Sequence, residues 1–349
     1  MRKENQKRAN VSENPEQLKY SVGIDIGKES FAVCLCVIDQ LQSVKILGSR
    51  NFDNTPSGFK NLDYWIQKKQ KLPLDLRINM EATGVYYESV AWYLHDHGYN
   101  ISVTLPNRAK RYLQAIGAKS KNDKADAAGL ARMGAEQNLT LWIPPEESLM
   151  SLRSLTRQRQ QIQESITMFR NQREAHLFSE HQHPSVIKHL NQILKTLEKT
   201  LEKLDVSLLE TINNDPELNQ KVGRITQIKG VGWLTVITIL AETGAFHMIR
   251  NQSQLVSYAG YDIVENQSGR HIGKTRISKK GNARIRRILH MPAFSVVTCQ
   301  EPMFKALYDR VYDRSKIKMK AYVAVQRKLL VVIYALWKNE QNYQSKLTE

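Results

Sequence analysis

The chain is 349 residues long and 41% hydrophobic, with 51 Lys and Arg against 34 Asp and Glu for a formal charge of +17. That length holds two or three units with real cores, whereas no apolar run reaches the roughly 18–20 residues of a membrane span, so no membrane partner is expected. A polar start, MRKENQKRANVSENPEQ, offers no secretory signal, and three cysteines exclude both a disulfide framework and a CxxC zinc site.

Residues 1–19 are expected to form a disordered extension. After them YSVGID, SFAVCLCVID and VKILGSRNF read as three successive strands, the first two joined by a turn at Gly27. A helix (GFKNLDYWIQKK), a strand (LRINMEA), a helix closed by Gly98, a strand (NISVTLP) and a helix (NRAKRYLQAIG) follow. Three strands and then α-β-α-β-α is the order of a mixed-sheet α/β domain, expected over residues 20–145. Cys34 and Cys36 alternate on one strand and are expected to pack as small apolar groups. The histidines of HDH (His95, His97) and HQH (His181, His183) lack metal-site spacing and read as solvated or locally bonded.

From residue 146 to 214 the chain turns rich in Leu, Gln, Glu and Lys. Ile187, Leu190, Leu194, Leu197, Leu201, Leu204 and Leu208 are spaced alternately three and four apart, a heptad seam that drives helices to pair. HQHPS separates this helix from an earlier one, which predicts an antiparallel coiled-coil hairpin. Residues 215–349 are expected to be mainly helical with one Gly-punctuated loop. Their first part has two apolar helices flanking KGVG, in the manner of a helix-hairpin-helix; a buried helical pair without a ligand is the competing reading. Between Ser268 and Lys328 stand sixteen Lys or Arg against three acids, Glu301, Asp309 and Asp313. So lopsided a segment points to a polyanion, with phosphate backbone as the counter-charge.

Two-metal nucleotidyl chemistry needs several carboxylates converging on one edge. Asp25 ends the first strand, Glu81 ends a strand expected beside it, and Asp123 and Asp126 open a helix three residues apart on one face. Asp25 in GIDIGKES also suits a metal beside ATP phosphates, as in an ATPase or sugar kinase, but the chain has no P-loop. Read one at a time, these acids are ordinary turn and cap residues; the combination singles them out.

The strings VGIDIGKES, NMEATGVYYE and KNDKADAAGLA, with SYAGYDIVENQSGRHIGKTRISKKGNARIRRIL downstream, resemble the DEDD-type transposases of bacterial insertion sequences, the family numbered one-ten, which includes the Piv-like DNA invertases. The likeness runs from about Tyr20 to about Trp337, with its motifs in order. It implies an RNase H-like (RuvC-like) α/β domain holding Mg²⁺ (or Mn²⁺) through Asp25, Glu81, Asp123 and Asp126. It further implies a coiled-coil insertion and a C-terminal transposase domain whose serine nucleophile is Ser268. Donor and target DNA, a structured noncoding guide RNA (the bridge RNA) and a homo-oligomer, dimer or tetramer, are the implied partners. The implied location is the bacterial cytoplasm, on the nucleoid when active. Tyr261-Asp262-Ile263 stands where family members commonly run Leu-x-Pro, so the local loop is expected to differ.

A serine hydroxyl needs a base or metal to become a nucleophile, and His271 is the sole histidine near Ser268. Gly269 and Gly273 would let backbone approach DNA, and Arg270, Lys274, Arg276, Lys279, Lys280, Arg284, Arg286 and Arg287 offer charge for phosphates. Ser278 is the rival hydroxyl, read as a helix N-cap or phosphate contact. The leading expectation is a recombinase that cleaves and rejoins DNA through a phosphoserine. A RuvC-like nuclease of branched DNA using water is the alternative, and a binding protein with vestigial acids is a third reading.

Overall fold

The computed structural model describes residues 16–344, apart from 83, 118–121, 248, 266, 270 and 274 and the side chains of 271 and 272. The chain divides into two compact units, Met1–Pro144 and Pro145–Glu349. The extension expected over 1–19 lies outside the described residues up to 15, and the first strand begins at Gln17, three residues before Tyr20.

In the first unit the elements are β1 (Gln17–Ile26), β2 (Ser30–Asp39), β3 (Val44–Asp53), α1 (Pro56–Lys69), β4 (Leu76–Glu81), α2 (Glu88–Asp96), β5 (Asn100–Thr104), α3 (Pro106–Ala115) and α4 (Asp123–Glu136). They build one sheet in the order β3-β2-β1-β4-β5. The first three strands pair antiparallel, while β4 runs parallel to β1 and β5 parallel to β4. This is the mixed sheet expected from the strand order. Buried on both faces, β1 and β2 are nearly continuous apolar runs.

One face packs Ile24, Phe31 and Leu35 against Phe59, Leu62 and Ile66 of α1 and Leu94 of α2. The other face is covered by α4 largely through small groups: Ala127, Ala131 and Ala135 meet Ala32, Cys34 and Cys36. The two cysteines are fully buried there, as small apolar groups. Contact with β1 is closer still, for a Cβ built on Gly23 would lie 2.1 Å from both Ala127 O and Ala131 N. Strand and helix backbones touch at that point. Glycine inside a strand commonly marks such an approach. Further along α4, a Cβ on Gly134 would come 2.5 Å from Ser21 Oγ. Asn79 of β4 donates to Leu130 O at 3.0 Å and fixes the helix lengthwise.

The second unit opens with two long helices, α5 (Glu147–Leu177) and α6 (Pro184–Asn213). Arg159 bonds Asp205 and Arg170 bonds Glu198, so residue numbers rise on one helix as they fall on the other and the pair is an antiparallel hairpin. Leu190, Leu194, Leu204 and Leu208 of the heptad seam are buried. At the base of the hairpin Leu149, Leu152, Leu208 and Ile212 join one core with Ile225, Leu240, Ile285 and Leu330. Packing therefore runs without a break across residue 214, where composition changes.

After the hairpin come α7 (Pro216–Thr226), α8 (Trp233–Thr243) and α9 (Gln252–Ala259). Four two-residue strands follow: β6 (Ile263–Val264), β7 (Gln267–Ser268), β8 (His271–Ile272) and β9 (Arg276–Ile277). The chain ends in α10 (Ala283–Ile288), α11 (His290–Thr298), α12 (Pro302–Ser315) and α13 (Lys318–Asn339). In the KGVG turn Gly230 has φ +95 and faces α11, where a Cβ would meet Ser295 and Val296 at 2.9 Å. The loop expected between α9 and α10 is thus a ladder of short strands. Among the described residues no helix is long and apolar enough to cross a membrane.

These contacts set a contrast between glycines. Gly23→Ala should destabilise the chain by more than about 3 kcal/mol, because two backbones would have to separate. Gly223→Ala, in α7 with nothing within 4 Å of the added Cβ, should stabilise by roughly 0.5–1 kcal/mol. Urea denaturation followed by circular dichroism reads both.

Candidate functional site

Asp25 and Glu81 reach one edge because their strands are parallel neighbours. Ile24 pairs with Met80, and each acid is the next residue. Gly23 and Asp25 lie on the same face of β1, so the helix that touches Gly23 also faces Asp25. Ser21 meets α4 near Gly134 and Gly23 meets it near Ala127 and Ala131, so α4 runs antiparallel to β1. Its first turn, with Asp123 and Asp126, is therefore directed to the Asp25 end. That turn is capped by Asn122, whose side chain accepts from Ala125 N at 2.8 Å.

Electrostatics register the gathering of the four acids. Asp25, half-buried, has its carboxyl pushed up to about 6, first by burial and then by the charges of Asp126, Asp123 and Glu81, against a hydrogen bond from the Ile26 backbone. All three acids named with it in the sequence thus act on this one group. Among the described residues, no three His, Cys, Asp or Glu side chains lie close enough together to hold a metal ion as they stand. The donor set nonetheless fits a hard divalent cation, being all carboxylate oxygen on rigid elements.

Ser268 occupies a different setting, in the second unit. It pairs with His271 across a tight turn in which Gly269 has φ +56 and Ser268 is exposed. Glycine suits that left-handed position, where a side chain would be strained. The base of the projecting strands is held by Ser278 N to Asp262 O at 2.7 Å, Lys279 N to Gly260 O at 3.0 Å and Asn282 N to Tyr258 O at 2.7 Å. Arg286 Nη1 donates to Ala259 O and Gly281 O at 2.8 and 3.2 Å.

Below that base lies a group the sequence reading missed. The Glu242 side chain, 0% exposed, accepts from Arg157 Nε and Nη2 at 2.7 and 3.0 Å and from Asn282 Nδ2 at 2.7 Å. Burial would push this carboxyl up, but the hydrogen bonds from Arg157 and Asn282 and the charges of Arg157 and Arg153 bring it below the usual range. Asn282 Oδ1 in turn caps α10 by accepting from Arg284 N and Ile285 N. An acid inside LTVITILAETG was the available signal, because an apolar helix buries such a group only with partners.

The predicted basic residues divide. Arg276, Lys279 and Lys280 are exposed. Arg286 is committed to backbone carbonyls, Arg284 lies 3.9 Å from Glu242, and Arg287 is bonded to Glu164 of α5. Arg270, Lys274 and the side chain of His271 lie outside the described residues. Ser278 does not cap α10, a role Asn282 takes; its Oγ accepts from Lys280 N at 3.3 Å. His97 bonds Tyr93 O and His183 bonds Ser185, both local contacts.

The chain is an enzyme of the DNA transposase/recombinase class. A DEDD transposase model matches residues 22–182 and a second, described as "Transposase IS116/IS110/IS902 family", matches 222–309; the chain belongs to this family. It is 29% identical to the pilin gene-inverting protein of Moraxella bovis, over 95% of this chain and 99% of that protein. It is also 24% identical to the transposase of insertion element IS1111A from Coxiella burnetii, over 92% and 90% of the two chains. Among solved structures, Thermus thermophilus RuvC matches 35% of this chain and 99% of its own, at 11% identity and a TM-score of 0.28, too slight a likeness to bear on the site.

Two outcomes follow from the carboxyl groups. The folded-state value of Asp25 lies above its ordinary 3.8, so its ionisation opposes folding; the penalty is absent below about pH 4, grows through the window to about 6 and is complete above it. Without divalent ions, Asp25→Asn should therefore gain roughly 1 kcal/mol at pH 7.5 once solvent screening is counted, and nothing near pH 4. Glu242→Ala removes the buried acceptor shared by Arg157 and Asn282 and should cost about 1–3 kcal/mol. Thermal melts across pH check the first, and urea melts the second.

Proposed function

We propose that this transposase cleaves and rejoins DNA through a covalent phosphoserine on Ser268, with a divalent cation, Mg²⁺ or Mn²⁺, held by Asp25, Glu81, Asp123 and Asp126. The observation that carries the reading is the parallel pairing that sets Asp25 beside Glu81, with α4 seated on Gly23 so that its first turn is directed to the same edge, in a chain that also presents an exposed serine on a turn of its own. The strand order β3-β2-β1-β4-β5 is that of RNase H-like nucleases and supports the same use of the acids.

In the cleavage step the Ser268 Oγ attacks a DNA phosphorus. A P–Oγ bond forms and the P–O3′ bond breaks, the hydroxyl proton passes to solvent, and the departing 3′ oxygen takes one up. The phosphodiester becomes a phosphoserine ester, so its bond energy is kept and no ATP is required. Rejoining is the reverse attack by a 3′ hydroxyl of the exchanged strand. A cation bound at the four acids would lower the serine's proton affinity and stabilise charge on the leaving oxygen.

Arg276, Lys279 and Lys280, exposed beside the hairpin, would hold the flanking phosphates, and the turn Lys229–Gly232 would add backbone N–H groups in the manner of a helix-hairpin-helix. Arg284, Arg286 and Arg287 act chiefly on the protein, as struts under the hairpin. Sequence choice belongs to a structured guide RNA in this reading, and the heptad hairpin contributes to a homodimer or tetramer. The acids and Ser268 must serve one phosphodiester, whether one copy or two supply them.

Incubation with donor DNA and Mg²⁺, followed by denaturing electrophoresis, tests the central step. The wild-type chain should give a protein–DNA adduct, and both Ser268→Ala and Asp25→Ala should reduce it by at least about 100-fold. An adduct that survives Ser268→Ala removes the serine from its role. Strand cleavage without any adduct would instead favour attack by water.

A further inference from the structure

Remote from the Ser268 hairpin in sequence, the second unit carries an aromatic array that the proposed chemistry does not use. Ring centroids of Phe294 on α11 and Tyr322 on α13 lie 5.2 Å apart, and Tyr322 and Tyr308 on α12 lie 4.7 Å apart. Tyr308 stacks on Tyr312, one turn along, at 6.0 Å and 10°. Such clusters ordinarily fill cores. This one opens at its edge: Phe294 is 48% exposed, Met291 a turn before it 64%, and Met319 a turn before Tyr322 56%.

Cations border the rings. Lys316 Nζ stands 5.7 Å from the Tyr312 centroid and Lys305 Nζ 6.0 Å from that of Tyr308. Lys318, four residues before Tyr322 and thus on the same helical face, is exposed. The two acids on α12 are already engaged, Asp309 with Lys305 and Asp313 with Lys316.

Exposed aromatic and methionine side chains mark an interaction surface, and charge decides what covers it. A second copy would bring the same cation-rich segment, sixteen Lys or Arg against three acids, into contact with itself. A polyanion relieves that charge, and aromatic rings within a cationic border suit unpaired bases, whose faces stack whatever their identity. Duplex DNA hides those faces.

We propose that the face formed by α11, α12 and α13 binds an unpaired stretch of DNA, with bases stacked on Phe294 and the Tyr322–Tyr308 array and phosphates meeting Lys316 and Lys318. The proposal rests on the reading that the enzyme exchanges DNA strands, a reaction that exposes unpaired bases.

Fluorescence anisotropy of the full-length protein with a labelled single-stranded DNA, its duplex and the RNA of the same sequence, at fixed salt, tests it. Phe294→Ala should weaken single-strand binding about 10-fold, Phe294→Trp should restore it, and duplex binding should stay within about 2-fold. Equal losses on single strand and duplex, a Trp variant as weak as the Ala variant, or tighter binding of the RNA would overturn the proposal. So would a wild-type oligomer that dissociates in Phe294→Ala on sedimentation. Ser268→Ala should leave this binding unchanged, so failure of the stacking surface and failure of the phosphoserine step are read separately.

Discussion

Where the backbone of α4 touches the backbone of β1, at Gly23, the chain commits its front unit to one arrangement. A methyl group there would overlap Ala127 O and Ala131 N, and the neighbouring helix positions are alanine or glycine for the same reason. With Asn79 holding Leu130 O, the helix has little freedom to slide. Its first turn must then face the end of the central strand. Positions 25, 81, 123 and 126 are thereby directed to one edge, and burial first, with the charges of the other three acids after it, raises the Asp25 carboxyl. Like charges are gathered in this way at a cost in stability, which a bound cation would reverse.

The rear unit solves a different problem, that of holding the exposed Ser268 on a short hairpin turn without leaving it loose. Its solution is a rigid base. Gly260 and Gly281 approach so closely that a Cβ on Gly281 would lie 2.5 Å from Gly260 N, and Arg286 bridges the carbonyls around them. Beneath, the buried Glu242 ties Arg157 of the long helix to Asn282, the cap of α10. Charge that sequence counting assigns wholly to nucleic acid is partly engaged by the protein's own acceptors. Arg286, Arg287 and Lys305 have protein partners, whereas Arg276, Lys279, Lys280, Arg310, Arg314, Lys318, Lys320, Arg327 and Lys328 are exposed.

Much of the front unit was legible in the sequence because its signals are local. The apolar runs of β1 and β2, the turn at Gly27 and the helix opened by Asp123 and Asp126 each announce themselves within a few residues. The acids could be grouped because three of them end or open such elements. Gly23 was not read, since its meaning depends on a helix about a hundred residues away. Glu242 was missed for a related reason: a single acid in an apolar helix shows that a partner exists without showing which. In the rear unit the periodicity of α6 revealed a hairpin but could not show that its base belongs to the core of the helices after it. The short strands around Ser268, two residues each, are below the length at which alternation is readable, so the loop was expected to be irregular.

The central claim is that α4, seated on Gly23, brings Asp123 and Asp126 to Asp25 and Glu81 so that together they bind a divalent cation. Anomalous diffraction from crystals of the intact protein grown with Mn²⁺ examines it directly. The account predicts a strong Mn²⁺ peak bonded by Asp25 and at least one carboxylate of the first turn of α4. A saturating Mn²⁺ concentration that leaves these acids without a peak, or places the ion on other residues, would contradict it.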